Sequence, residues 1–207
     1  MPKQMAFHVD TSVCMNCKAC EIVCKDKNNL PVGVQWRRVI QYGGGTWVAR
    51  GEVLLVPENI FTYSVSIACM HCAKPKCLEA CPAEAIVKRS DGIVWIDPKK
   101  CQGRRLCEDA CPYGAPQFHA EKGIMTKCDF CQDLLARGQN PACVDACSMR
   151  ALHAGPLDEL RARYGLTNAI EPLPLPKTGP SIVITPHRHA QPSGKGTGSV
   201  IALPVKT

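Results

Sequence analysis

Fifteen cysteines in 207 residues carry the chemistry this chain advertises, and they fall into four groups. Cys14, Cys17, Cys20 and Cys24 follow C-x2-C-x2-C-x3-C, and Cys69, Cys72, Cys77 and Cys81 follow C-x2-C-x4-C-x3-C with Pro82 next. The third group keeps Cys101, Cys107 and Cys111-Pro112 but has Arg104 at the position of a second cysteine. The fourth is Cys128 and Cys131, then Cys143 and Cys147 after an insertion. An odd count excludes a fully paired disulfide framework. A cubane iron–sulfur cluster presents iron at alternate corners, and a tight loop with cysteines three apart can wrap three of them. The fourth cysteine is expected at the start of a helix pointing away, where it ligates a neighbouring cluster, with proline at the first helical position. Structural zinc is the competing chemistry. It uses paired C-x2-C units with four ligands per ion, which group four alone could satisfy, whereas groups one and two overfill half a site. A zinc-stabilised interaction module is therefore the alternative of another class, separable by assaying iron and acid-labile sulfide against zinc.

The rest of the composition is globular, with 45% hydrophobic and 21% charged residues, but 4 Phe, 4 Tyr and 3 Trp leave a light core. The formal charge of +7 is scattered rather than blocked, and cysteine thiolates around cluster cores would largely offset it, so no nucleic-acid partner is expected. No apolar run approaches the ~20 residues of a membrane span. The opening residues Met1 to Ala6 lack the apolar stretch of a secretory leader, and Arg37-Arg38 is a double arginine too deep to serve as an export signal.

The elements that must position the cysteines form a repeat. Phe7-His8-Val9-Asp10 precedes Cys14 and Val94-Trp95-Ile96-Asp97 precedes Cys101, each a short strand ending in Asp. Cys81 to Ile86 and Cys147 to Leu152 echo one another after the fourth cysteines, and Ile86 to Ile96 reads as a hairpin turning at Ser90-Asp91-Gly92. Strand, cluster loop, short helix, strand is the ferredoxin unit, and its repetition means several centres. Residues 25–68 carry a second predicted hairpin, Gln35–Tyr42 turning at Gly43-Gly44-Gly45 into Thr46–Arg50, then apolar Val53–Val56. A helix is expected over Leu157–Tyr164, stopped by Gly165. The proline-rich remainder has no periodic apolar face and is expected to be an extended arm draped over a partner.

The sequence resembles the four-cluster iron–sulfur subunits of molybdopterin-dependent respiratory oxidoreductases, and within them the dimethyl sulfoxide reductase type most. The stretches that carry the likeness are Cys14–Cys24, Cys69–Cys81 with Asp91-Gly92, Cys107–Phe118, Met125–Asp129, Leu157–Arg161 and Pro180–Thr185. The resemblance implies an α+β fold of two ferredoxin-like bis-cluster modules, one nested in the other. Residues 1–25 and 119–155 would form the outer module, 64–118 the inner one, 26–63 an inserted hairpin, and 156–207 the short helix and extended C-terminal arm. It implies one ligand set of Cys14, Cys17, Cys20 and Cys147 and a second of Cys24, Cys128, Cys131 and Cys143. A third takes Cys69, Cys72, Cys77 and Cys111, and a fourth has only Cys81, Cys101 and Cys107. The implied role is non-catalytic electron transport in anaerobic respiration, in that order of centres. It joins a molybdopterin catalytic subunit to an integral-membrane quinol-binding anchor, peripheral on the inner membrane. Co-export with a twin-arginine-leader partner would put it on the periplasmic face, and the cytoplasmic face is the other option. Selenate, tetrathionate, polysulfide or formate chemistry could use the same relay.

Arginine is always protonated and offers iron no lone pair. At the Arg104 site the sequence leaves three outcomes: a 3Fe–4S cluster held by three thiolates, which is favoured, a 4Fe–4S cluster with an exogenous ligand, or no cluster. The expected complement is three 4Fe–4S clusters plus one 3Fe–4S cluster, four 4Fe–4S being the second choice. Arg104 and His71 are the cluster-tuning candidates, although a histidine in such a loop is first expected at the surface. His187 and His189 read as tail, and Trp36, Trp47 and Trp95 as core or interface residues. No nucleophile–base or paired-carboxylate constellation appears, so no catalytic residue is expected.

Overall fold

The computed structural model describes residues 3–202. Strand β1 (Met5–Asp10) is alternately apolar and lies at the centre of a three-stranded sheet. Its neighbours are β8 (Leu152–Pro156), antiparallel, and β9 (Ile182–Thr185), parallel, so the sheet is assembled from both ends of the chain. Helices α1 (Ala19–Lys27) and α5 (Ala142–Asp145) pack on each other beside this sheet, α4 (Gln132–Leu135) follows Cys131, and α6 (Leu157–Tyr164) covers the sheet through Leu157 and Leu160. Helices α2 (Lys76–Glu79) and α3 (Leu106–Asp109) form a second such pair beside the hairpins β4 (Ile86–Lys88)–β5 (Val94–Ile96) and β6 (Gln117–His119)–β7 (Ile124–Thr126). The fold is the α+β, ferredoxin-like arrangement the sequence implies.

Three sequence expectations are corrected. The glycine triplet does not turn the chain: β2 runs unbroken from Arg38 to Arg50, the turn falls at Gly51 to Val53, and β3 runs from Leu54 to Ile67. The glycines are there for contact. A Cβ on Gly43 would lie 2.5 Å from Ile201 Cδ1 of β10 (Ser199–Ala202), which pairs with β2 on one side, and 2.7 Å from the Phe61 carbonyl oxygen of β3 on the other. Second, the helical turns sit before the fourth cysteines and hold the third ones, Cys77, Cys107 and Cys143. After Cys81, Cys111 and Cys147 the backbone makes tight turns closed by the amides of Glu84, Gly114 and Arg150, and proline presets the first turn residue in two of them. Third, the arm beyond Gly165 lies along its own chain rather than away from it. Ile170, Leu173, Ile182, Val183 and Ile184 are all buried. Ile170 and Leu173 are isolated apolar anchors between prolines with no helical or strand period, and Ile182–Ile184 is an apolar run too short to announce β9 by periodicity, which is why the pattern concealed the packing.

A buried histidine ties the sheet together and makes its stability depend on pH. His8 is 1% exposed, stacks on Tyr164 at 3.6 Å, meets Thr185 Oγ1 through Nε2 at 2.8 Å and faces His153 through Nδ1 at 3.1 Å. Burial and the His153 charge lower its pKa to about 4. The unfolded chain, with an ordinary histidine near 6.5, therefore takes up a proton first as pH falls. Stability held above that value is lost progressively between about pH 6.5 and 4, at no more than about 1.4 kcal/mol per pH unit from this group. The melting temperature should fall across that window, and His8→Gln should flatten the fall. An unchanged slope in the variant would remove His8 as the cause.

Candidate iron–sulfur sites

All four cysteine groups use one local geometry. The second residue after each leading cysteine is left-handed: Asn16 (φ 60°), His71 (φ 41°), Gly103 (φ 67°) and Phe130 (φ 65°). This bend reverses the backbone inside each C-x2-C unit, so that the flanking side chains face one interior. Only Gly103 adopts it without a side chain, and a Cβ there would lie 2.3 Å from the Gly123 carbonyl oxygen. The loop bearing Arg104 thus keeps the bend of its three counterparts although its second thiol is missing. The exit turns repeat as well: the amides of Ala115 and Ala151, each four residues on, donate to Cys111 Sγ at 3.4 Å and Cys147 Sγ at 3.2 Å. Met125 N–H donates to Cys101 Sγ at 3.3 Å and Phe130 N–H to Cys128 Sγ at 3.4 Å. Amide donors of this kind are how a protein stabilises anionic sulfur.

The fifteen thiols are all free, and they gather across the chain in sets. One cavity is lined by Cys14, Cys17, Cys20 and Cys147, another by Cys69, Cys72, Cys77 and Cys111, and a third by Cys81, Cys101 and Cys107 with Arg104 at its exposed lip. Cys24, Cys128, Cys131 and Cys143 lie close enough to act on one another: burial pushes Cys24 up to about 12, with Cys143 and Cys131 adding to it. Cys128 is driven well above its usual value by burial and by Cys24. Burial likewise raises Cys77 to about 12 and Cys107 and Cys72 to about 11. Desolvated thiols packed together resist ionisation, and a bound metal group supplies the positive charge that makes them thiolates. The donor set therefore fits polynuclear iron–sulfur groups. Among the described residues no three ligand-type side chains converge closely enough for a single metal ion. The thiols instead form the walls of cavities.

His71 is not at the surface. It is 1% exposed, and the Val94 amide donates to its Nδ1 at 3.0 Å, which leaves the proton on Nε2. Among the described residues Nε2 has no oxygen or nitrogen partner. Although burial opposes it, His71 and Lys127 bring the Cys69 thiol down to about 5. Thr178 Oγ1 donates to Cys72 Sγ at 3.2 Å and Ser181 Oγ to the His71 carbonyl at 3.0 Å, so the C-terminal arm closes this loop. Sequence reasoning overlooked two buried cations, Arg37 at 2% and Lys127 at 3% exposure. Lys127 Nζ donates to the Val94 and Cys128 carbonyls. Its only sequence signal is its place directly before Cys128, while Arg37 shows none beyond its doubled arginine. Trp47 lies 70% exposed on the β2–β3 ribbon, and Trp36 Nε1 donates to Thr126 Oγ1 at 3.1 Å.

Repeated cysteine loops on a ferredoxin-like frame define an iron–sulfur protein. The profile of the 4Fe-4S dicluster domain family matches residues 60–157. The B subunit of anaerobic dimethyl sulfoxide reductase from Escherichia coli is 46% identical over 199 residues, 96% of each protein. The formate dehydrogenase iron–sulfur subunit of Wolinella succinogenes is 36% identical over 179 residues, 76% of this protein and 84% of that one. The B subunit of polysulfide reductase from the same organism is 32% identical over 193 residues, 91% and 97%. This protein belongs to the family of dimethyl sulfoxide reductase-type iron–sulfur subunits, non-catalytic electron-transfer proteins. Among the described residues no helix is long and apolar enough to cross a membrane.

Proposed function

We propose that this chain relays electrons through four iron–sulfur clusters between a membrane quinol-oxidising anchor and a molybdopterin catalytic subunit of a dimethyl sulfoxide-type terminal reductase. The observation that carries this is the gathering of cysteines from distant loops around separate cavities, three of which are lined by the sets given above. The ligand sets are Cys14, Cys17, Cys20 and Cys147; Cys24, Cys128, Cys131 and Cys143; Cys69, Cys72, Cys77 and Cys111; and Cys81, Cys101 and Cys107. The complement is three 4Fe–4S clusters and one 3Fe–4S cluster, the last beside Arg104, whose positive charge raises its reduction potential. When bound, these groups accept and release single electrons at fixed positions. The chain's own residues hold the sulfurs, aim amide donors at them and keep water away from the buried ones. His71 and Lys127 lie near the Cys69 sulfur and favour its thiolate form. The pairing of α1 with α5 and of α2 with α3 supports two nested modules, residues 1–25 with 119–155 around 64–118.

The 46% relatives favour sulfoxide chemistry over the polysulfide and formate enzymes of the 32% and 36% relatives. The protein sits peripherally on the inner membrane, facing the periplasm after export with a leader-bearing partner. The test is a redox titration of the purified complex by low-temperature electron paramagnetic resonance, with iron and sulfide counted. About 15 irons per chain and a 3Fe–4S signal in the oxidised state are expected. Zinc without sulfide overturns the relay, and about 12 irons overturns the four-centre path.

A further inference from the structure

Arg37 is a fully buried cation with no carboxylate partner among the described residues. Its Nη1 donates to Ser66 Oγ at 3.1 Å, and the same Ser66 Oγ lies 3.4 Å from Cys20 Sγ. The same Nη1 also reaches the Ser66 carbonyl at 3.5 Å. The guanidinium lies 4.5 Å from the centroid of the Phe7 ring, which stacks on Phe130 at 4.1 Å, between Cys128 and Cys131 in sequence. Among the described residues Nη2 has no oxygen or nitrogen partner. Burying an unpaired charge costs several kcal/mol, so a side chain in this position must be answered by anionic groups. Arginine keeps its proton at any working pH, and the sulfurs that favour its charge most, once they are cluster thiolates, are those of Cys143, Cys20, Cys128 and Cys24. Those four cysteines belong to two ligand sets: Cys20 to one, and Cys24, Cys128 and Cys143 to the other. The cation therefore stands between two centres rather than beside one.

We infer that Arg37 is a positioning residue for electron transfer, a fixed interior charge shared by the centre of Cys14, Cys17, Cys20 and Cys147 and that of Cys24, Cys128, Cys131 and Cys143, which raises the reduction potential of both. This rests on the relay reading and adds to it a specific determinant of driving force. Adding an electron makes a cluster more negative, and a nearby fixed cation in a low-dielectric interior stabilises the reduced form over the oxidised one. Arg37 remains charged at any working pH, so the effect is constant. The hydrogen bonds and ring contact of Arg37 go to Ser66, which adjoins Cys20, and to Phe7, which stacks on Phe130; they do not reach the loops of Cys69, Cys72, Cys77 and Cys111 or of Cys81, Cys101 and Cys107, and those two centres should be insensitive to it.

The experiment is a redox titration by electron paramagnetic resonance of the assembled complex carrying Arg37→Gln or Arg37→Lys, with iron counted in each. With Arg37→Gln, the reduction equilibria of two of the four centres should shift toward the oxidised form by at least about tenfold, ~59 mV for one electron. The other two should stay in place, and Arg37→Lys should keep all four near their wild-type values. A fully loaded Arg37→Gln complex with unmoved midpoints, or with all four moved alike, overturns the inference. If Arg37→Gln fails to hold iron, Arg37→Lys decides. Full iron with wild-type midpoints supports the charge, whereas loss of iron there assigns the residue to guanidinium packing and overturns it. A wild-type complex without iron and sulfide would instead remove the relay reading itself.

Discussion

On the proposed complement of three 4Fe–4S clusters and one 3Fe–4S cluster, replacing Arg104 by cysteine should raise the iron content from about 15 to about 16 per chain and abolish the 3Fe–4S signal expected of the oxidised protein. The expectation follows from the backbone rather than from the missing ligand. Gly103 is left-handed at φ 67°, as Asn16, His71 and Phe130 are in the other three loops, so a side chain at 104 leaves the loop where Cys17, Cys72 and Cys131 leave theirs. Arg104 already lines the cavity of Cys81, Cys101 and Cys107. A thiolate placed there completes a four-cysteine set, and removal of a cation beside the centre lowers its potential as well. Both changes should read out together, as loss of one signal and appearance of another at a more negative midpoint. If Arg104→Cys leaves the 3Fe–4S signal intact, a preformed fourth position is the wrong description of this loop.

Stripping the iron should unfold the chain rather than empty a finished scaffold. Cys20, Cys69, Cys128, Cys143 and Cys147 belong to the larger apolar core, and Cys77 and Cys107 are two of the five buried residues in the smaller one. The helices α2, α3 and α5 have four residues each, far below the ~12 an isolated helix needs for even marginal stability. What fixes these turns is therefore the group their cysteines hold, and the binding free energy of that group becomes folding free energy. Treatment with a chelator and a mild oxidant should abolish the cooperative thermal transition and the β-sheet signal in circular dichroism. An iron-free chain that still melts cooperatively within about 5 °C of the loaded protein would show the apolar core to be sufficient.

The cysteine groups and the first strand were legible because their signals are local. Spacing fixes which sulfurs share a loop, and the Phe7 to Asp10 pattern fixes a strand. The turn at Ser90 to Gly92 was legible for the same reason. What stayed hidden is contact between distant segments. Nothing near Gly43 announces that Ile201 will lie against it, so the triplet reads as a turn. Nothing near His71 announces that Ser181 and Thr178 will cover its loop, so it reads as exposed. Arg37 is the extreme case. A charged residue after Trp36 is ordinarily a surface residue, and its burial depends on groups brought in from other stretches of the chain: Ser66, which adjoins Cys20, and the Phe7 ring, which stacks on Phe130.

The parallel pairing of β9 with β1 also sets an order of events during synthesis. Phe7 pairs with Ile182 and Met5 with Pro156, so β1 is made well over a hundred residues before either neighbour exists. Contacts this far apart in sequence form late and slowly. The loops that hold the metal groups are thus made before the sheet beneath them is complete, and Thr178 and Ser181 come to rest on Cys72 and His71 only when β9 arrives beside β1. The segment that completes the sheet is therefore also the one that covers this cysteine loop.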